Sequence, residues 1–336
     1  MPAVPKRQFS GIVTIQQFQA LWKVRKERTS SSPHNVHFGH YKVIAEHQQL
    51  SNLVCKILSI ALCTGYAPSQ YKKMMACLLE KKPGERKIGK LRIILLLDAL
   101  YSTSLMLMAR WISNQAELNG SFAPEQFGSR KGLDARTQAT NIKLVMDHSR
   151  RLRRPLAVVA NDLKSCYDRA AHDVVGMCMA REGMSKAAIE MRFGVAQDPE
   201  INVRTGHGDS EITNKSGIWK EPHFRTLHSV FQGSGDGPVS WALVSSAILR
   251  PFRLRGYGTT IRIRGNHTKK VPAALFVDDS TYFQDAEPLS PSSLVPMTQE
   301  AQTYLQGLIR APGGALNPDK SFWWLMKYRW TQNPKA

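Results

Sequence analysis

Acidic residues are scarce in this chain. Only 26 Asp and Glu stand against 46 Lys and Arg, which leaves a net charge of +20 over 336 residues. A surface that short of negative charge attracts polyanions, and nucleic acid is the commonest of them. General solubility and attachment to a membrane surface are the alternatives that charge alone leaves open. Cysteine is sparse too: Cys55, Cys63, Cys77, Cys166 and Cys178 are the five. Their odd number and irregular spacing argue against a disulfide framework, and no pair has the close spacing of a zinc site. An intracellular, reducing compartment is the default that follows. No apolar run reaches the roughly eighteen residues of a spanning helix. The N-terminus carries Lys6 and Arg7 but no apolar signal core. No internal repeat is present, and no membrane partner is expected.

Apolar content of 42% and charged content of 21% are ordinary for a globular protein. The length suffices for one large domain or two subdomains around sizeable cores. Helical spacing of apolar residues predicts helices over 14–28, 41–65, 99–117 and 133–150, with a Ser-rich loop at 29–33. The basic stretch 70–92 contains a Pro83-Gly84 turn. Leu156 to Ala160 and Ala273 to Val277 are short, apolar and β-branched, as buried strands are. Ser280 to Phe283 is expected to return as the hairpin partner of the second. Further helices are expected at about 167–182, 238–250 and 298–310, with a mixed region containing a hairpin at 193–230. Strands and helices alternate without the rhythm of a doubly wound sheet, so the expected class is α+β.

Carboxylates stand at the ends of both apolar strands. Asp162 closes Val158-Val159-Ala160-Asn161-Asp162, and Asp278-Asp279 close Leu275-Phe276-Val277. A carboxylate at the end of a buried strand is costly unless something neutralises it. Magnesium does so through oxygen ligands and accepts substrate phosphates in its shell. Two such ions about 3.5–4 Å apart can activate a hydroxyl and stabilise a leaving oxygen. Adjacent strand residues point to opposite faces, so a tight turn is needed for Asp278 and Asp279 both to serve. Taken alone, an Asp-Asp pair is more often simply a polar turn between two strands.

Several further motifs flank these acids in order. They are Leu78-Leu79-Glu80-Lys81-Lys82-Pro83-Gly84 with Leu91-Arg92-Ile93-Ile94-Leu95-Leu96; Glu125-Gln126-Phe127-Gly128-Ser129-Arg130-Lys131-Gly132; Asp162-Leu163-Lys164-Ser165-Cys166-Tyr167; Gln232-Gly233-Ser234-Gly235-Asp236-Gly237-Pro238; Phe276-Val277-Asp278-Asp279; and Gly313-Gly314-Ala315-Leu316-Asn317-Pro318-Asp319-Lys320-Ser321. Over roughly residues 30–326 this order resembles the reverse transcriptase family, in particular its non-long-terminal-repeat retroelement type.

The resemblance implies a right-hand polymerase with fingers at 1–155 and a palm at 156–326. A fingers-type insertion would fall at about 185–228. Residues 327–336 would be a linker or the start of a thumb that is otherwise largely absent. It implies RNA-directed DNA polymerase activity on an RNA template and a DNA primer, with deoxynucleoside triphosphates and two Mg2+ ions, Mn2+ being the alternative. Asp162, Asp278 and Asp279 would be the metal ligands, and Lys320 would protonate the leaving pyrophosphate. Arg92 would contact the triphosphate, with Lys90 and Lys82 the weaker candidates. Arginine suits that task because it binds phosphate through two parallel hydrogen bonds. Tyr167, five positions after Asp162, would be the steric gate against a ribose 2′-hydroxyl, which disfavours an RNA polymerase. Asp168 would open the following helix. Gln232 and Gly233 would lie near the nucleotide, and Arg130 and Lys131 along the template. Asp236 stands where relatives carry a small apolar residue. Phe322, Trp323, Trp324 and Trp330 would form a packed strand under the palm. A retroelement enzyme would suit nuclear access. The alternative of another class is a non-catalytic RNA-binding remnant of the same fold.

Overall fold

A computed structural model of the chain describes residues 7–27, 36–85, 87, 90–210, 214–215, 230–263, 267–287 and 290–328. It is α+β, and the chain groups into two compact units, Met1–Asn119 with Ala170–Ser240 and Gly120–Arg169 with Trp241–Ala336. The boundary expected at residue 155 falls inside the second unit, between a helix and the strand that follows it. The insertion expected at about 185–228 belongs to the first.

In the first unit, α1 (Ile15–Lys23) starts at a Thr14 capping box with Gln17 and buries Phe18, Leu21 and Trp22. The helix expected over 41–65 is two helices, α2 (Phe38–Glu46) and α3 (Gln48–Thr64). They part at His47, whose backbone is extended. Gly65 ends α3 in the left-handed conformation and donates to Ala61 O. After the single turn α4 (Ser69–Lys72), the stretch expected only to be basic forms two antiparallel strands, β1 (Lys73–Leu79) and β2 (Arg92–Leu96). Asp98 then caps the long, mostly buried α5 (Ala99–Leu118) by accepting from Leu100 N and Tyr101 N.

The second unit opens with α6 (Ala135–Arg151), capped by Asp134, and β3 (Leu156–Asn161), followed by the short α7 (Cys166–Arg169). The helix expected over 167–182 is broken, and its second part, α8 (His172–Arg181), belongs to the first unit. There α9 (Lys186–Gln197), which the sequence pattern did not reveal, begins at a Ser185 cap and packs against α3. It leads into β4 (Glu200–Thr205), paired in parallel with β1 and in a hairpin with β5 (Gly208–Asp209). The backbone of β6 (Asn214–Lys215) also pairs with β4. Much of the rest of the mixed region expected at 193–230 lies outside the described residues.

Returning to the second unit, α10 (Gly237–Leu254) leads to the β7 (Thr259–Ile263) and β8 (His267–Val271) hairpin. Then come β9 (Ala273–Phe276) and β10 (Asp279–Gln284), as the hairpin expectation had it, followed by α11 (Leu294–Arg310) and β11 (Phe322–Met326). These strands form an antiparallel sheet in the order β11-β3-β10-β9. Strand β3 is apolar from Leu156 to Ala160 because both its faces are covered. Leu156 and Val158 pack with Val145 of α6 and with Phe283, while Ala157 packs with Leu294 of α11. Strand β11 is an edge, and Phe322, Trp323 and Trp324 keep about half of their surface exposed, at 53%, 51% and 49%. They form the strand expected, paired with β3, but their rings are only half covered. Trp330 lies outside the described residues.

The core of the first unit contains a buried ion pair. Arg192 and Asp236 are both fully buried, with Arg192 Nε donating to Asp236 Oδ2 at 2.7 Å. Ser234 Oγ donates to the same carboxylate, and Arg192 Nη1 donates to Tyr101 Oη at 3.3 Å. Burial by itself would lower the arginine pKa, but Asp236 and Tyr101 outweigh it and the pKa is raised. The aspartate that departs from the family pattern thus has its charge met inside the protein. Removing one partner of such a pair leaves a buried charge uncompensated and costs about 3–5 kcal/mol. We expect Arg192→Met to lose that much in urea unfolding and Arg192→Met with Asp236→Leu to recover most of it. A loss below about 1 kcal/mol in the single variant would show that the pair is not a support of this core.

Candidate active site

The acids at the strand ends depend on one turn. Asp279 pairs with Phe276, so only Val277 and Asp278 lie in the β9–β10 loop. Two-residue hairpin loops that match strand twist need a positive φ at the first loop residue, usually supplied by glycine. Here Val277 supplies it, at φ 59°. A β-branched residue there is an outlier that costs on the order of 1–3 kcal/mol.

Side chains pin the strained peptide from both sides. Val277 N donates to Gln126 Oε1 at 3.2 Å, while Val277 O accepts from Trp241 Nε1 at 2.9 Å and from Gln126 Nε2 at 3.4 Å. Gln126 has no exposed surface, and its amide is held in turn by Ser245 Oγ at 2.8 Å and Gly128 N at 2.8 Å. Its chain segment is fixed to the outer edge of β9 by Phe127 N to Leu275 O, 2.8 Å, and Leu275 N to Glu125 O, 2.7 Å. Gly128 passes so close that a Cβ there would sit 2.4 Å from Val277 N. The segment expected to follow the template is thus also the brace of the acidic turn.

Asp162 is fixed by a different segment. The β3–β10 ladder ends at Ser280 opposite Asn161, which leaves Asp162 and Asp279 next at the same end of the sheet. Asn317 donates from its backbone N to Asp162 O at 2.9 Å and from Nδ2 to Asp162 Oδ2 at 2.9 Å. Asp162 N donates to Ser321 Oγ at 3.2 Å, Lys164 N to Ala315 O at 2.8 Å, and Arg169 Nε to Gly313 O at 3.1 Å. The first and last palm-like motifs are therefore laced together.

Tyr167 is half-buried on α7. Burial raises its pKa, and the neighbouring Cys166 and Asp278 raise it further. Burial and Asp278 likewise push the Cys166 thiol up. Asp278 is half-buried and Asp279 exposed. The structure thus gathers Asp162, Tyr167, Asp278 and Asp279 at one end of the sheet. Asp168 falls in the first turn of α7, as expected.

The other candidates stand as follows. Lys320 is exposed in a short 3-10 turn, three residues beyond Asn317. Lys131 is exposed, whereas Arg130 is half-buried. Arg130 Nη1 donates to Ala123 O at 3.2 Å and Gln126 O at 3.3 Å, and its guanidinium lies over the Phe122 ring. Arg92, Lys90, Gln232 and Gly233 belong to the first unit. Gln232 O accepts from Leu95 N at 3.0 Å, and a Cβ on Gly233 would lie 2.9 Å from Leu95 O. The glycine-rich loop therefore runs against β2, which begins at the exposed Arg92. Lys90 is exposed and pairs with Glu85 at 3.5 Å.

Among the described residues no group of three or more His, Cys, Asp or Glu side chains is placed to hold a metal ion. Magnesium does not need one, because one or two carboxylates with substrate phosphates suffice. Asp162 Oδ2 accepts from Asn317, and Asp162 shares its end of the sheet with Asp279; carboxylate oxygens are the donors that a hard divalent cation takes. Gln126, Trp241, Asn317 and Ser321 are the supporting residues that sequence reasoning did not single out. Gln126, Asn317 and Ser321 lie within the quoted motifs, but nothing in a motif shows what a side chain holds. No protein-family model matches the chain, and no curated protein matches it.

Gly128→Ala should destabilise the chain by about 1–3 kcal/mol, since the added methyl meets backbone that cannot yield. Val277→Gly should instead be neutral or slightly stabilising in the same thermal melts, because it removes the strain. Equal effects of the two changes would show that the turn is not under the strain described.

Proposed function

We propose that the chain is an RNA-directed DNA polymerase of a retroelement, adding deoxynucleotides to a DNA primer along an RNA template. The observation that carries this best is the pinned Val277-Asp278 turn. It brings one carboxylate to the strand end that holds a second, Asp162, with the Tyr167 ring within electrostatic reach. Strain that the surroundings over-determine is a mark of functional sites. The basic chain and the order of the motifs agree with it.

Asp162 and Asp278 would hold two magnesium ions, or manganese, with Asp279 in support. Those ions, when bound, supply a lowered hydroxyl pKa and neutralise phosphate charge. The chain's own residues do the positioning, which carries most of the catalysis in phosphoryl transfer. Asn317 fixes the carboxylate orientation of Asp162. Tyr167 excludes a 2′-hydroxyl by bulk. Arg92 and Lys90, with Gln232 and Gly233, bind and orient the incoming nucleotide. Lys320 gives a proton to pyrophosphate, a contribution of about 10²–10⁴-fold. Arg130 and Lys131 serve the template strand, Arg130 mainly by holding its own loop. Nuclear access would suit such an enzyme.

Primer extension on an RNA template with magnesium and deoxynucleotides tests the proposal. Asp278→Asn should abolish extension while the circular dichroism spectrum and melting temperature stay unchanged. Tyr167→Ala should retain extension and accept ribonucleotides. Extension surviving in Asp278→Asn would refute the assignment. Salt-sensitive RNA binding without extension in the native chain would favour the non-catalytic remnant.

A further inference from the structure

A strongly charged face lies in the second unit, at the opposite end of β3 from Asp162. The strand runs from Leu156 to Asn161, so Arg153 and Arg154 lead into one end and Asp162 follows the other. Six residues at about 3.3 Å each put roughly 20 Å between those ends. Cations from two elements gather at the arginine end. Arg150, Arg151, Arg153 and Arg154 close α6 and the turn after it, while Arg262, Lys269 and Lys270 come from the β7–β8 hairpin. The carboxylates among them are engaged. Asp147 pairs with Arg150 at 3.3 Å, Glu287 pairs with both Arg154 and Arg262, and Glu125 lies 3.6 Å from Arg253. Arg151 and Lys269 are exposed and Lys270 is half-buried. None of these three forms an ion pair among the described residues.

Like charges crowded in this way oppose one another. Burial first, and then Arg154, Arg151 and Arg262, lower the pKa of His148 in their midst, with Glu287 acting against them. The dipole of α6 favours cations at its C-terminus and accounts for part of the cluster. It does not account for the hairpin cations, nor for Arg153. That residue is left-handed, at φ 53°, where Arg153 N donates to Arg150 O at 3.1 Å and Arg154 N to Ser149 O at 3.0 Å. Glycine is the residue such a helix end favours. The chain carries a guanidinium there instead, and it is exposed.

Between α6 and the hairpin lies a cavity of about 400 Å³, with Phe127, Val145 and Phe283 in its wall and Arg151, Lys269 and Lys270 beside them. A cleft with apolar walls and unpaired charge of one sign focuses its field on an anion. We infer that this face is a second nucleic-acid contact, gripping the sugar-phosphate backbone through Arg151, Arg153, Lys269 and Lys270. Arginine takes phosphate through two parallel hydrogen bonds, and lysine takes it as a point charge. Backbone contacts carry no sequence information, so one base composition binds as well as another. An anionic bilayer is the other polyanion to weigh, but a flat surface gains less than a strand does from a concave field. The contact goes beyond the polymerase reading and does not need it.

Fluorescein-labelled RNA of about 16 nucleotides, as single strand and as duplex, provides the probes. In anisotropy titrations of the full chain, replacing Arg151, Lys269 and Lys270 together by Gln should weaken binding about tenfold. The slope of log affinity against log salt should become shallower by about two to three, with an unchanged melting temperature. Replacing the exposed Lys23, Lys56 and Lys186 of the first unit by Gln removes the same charge. It should weaken binding by less than about twofold, because charges beyond the screening length contribute little. Arg153→Gly should weaken binding about threefold while the melting temperature holds or rises, since the left-handed backbone is then relaxed. A loss confined to one probe tells which form of the backbone the face takes. Equal losses in the two triple variants, or unchanged affinity in Arg153→Gly, would overturn the inference. So would RNA affinity that survives the Arg151, Lys269 and Lys270 changes while sedimentation with phosphatidylserine vesicles is lost. None of these readouts uses primer extension, so an inactive chain that passes them keeps this contact, and an active chain that fails them loses it.

Discussion

A buried glutamine amide holds the acidic turn of the second unit in shape. Gln126 bonds to both the N–H and the carbonyl of Val277, and its own orientation is set by Ser245 and Gly128. A valine at positive φ is otherwise unfavourable, so the turn persists because its surroundings leave it no alternative. Trp241 adds the third bond from α10, and the Gly128 backbone closes the remaining space. The position of Asp278 is thus decided by residues far from it in sequence, all of them buried. That is the condition a site needs if its carboxylates are to be in place before substrate arrives.

The same design recurs around Asp162. The segment 313–321 contributes backbone and side-chain bonds that fix both the main chain and the carboxylate of that residue. Behind it, Asn161 and Gln302 exchange amide hydrogen bonds from β3 to α11. Buried polar networks of this kind reward complete satisfaction and punish partial satisfaction.

In the first unit, Asp236 shows how misleading a single residue can be without its partner. Set among glycines in a loop expected near phosphates, a carboxylate looks ill placed. Buried against Arg192, with Ser234 and Tyr101 completing the group, it belongs to the core. Its charge is met two helices' worth of sequence away, and no local pattern announces that.

Much of the architecture was legible in the chain itself. Helical patterning located α5 and α6, and the structure adds their caps, Asp98 and Asp134. Uninterrupted apolar runs located β3 and β9, and the Asp-Asp pair marked the hairpin between β9 and β10. The basic residues around 73–92 concealed β1 and β2, because their strand character comes from pairing with each other and, for β1, with the distant β4. Short-range pattern likewise missed α9 and fused α2 with α3. By itself the sequence determined the α+β class, the strongly basic charge and the identity of the acids. Only the tertiary structure decided that Gln126 and Trp241 hold the turn, that Asn317 orients Asp162 and that Asp236 is neutralised. Each of those outcomes is a contact between residues distant along the chain, and a hydrogen bond's partner is set by where folding brings the backbone, which local spacing does not encode.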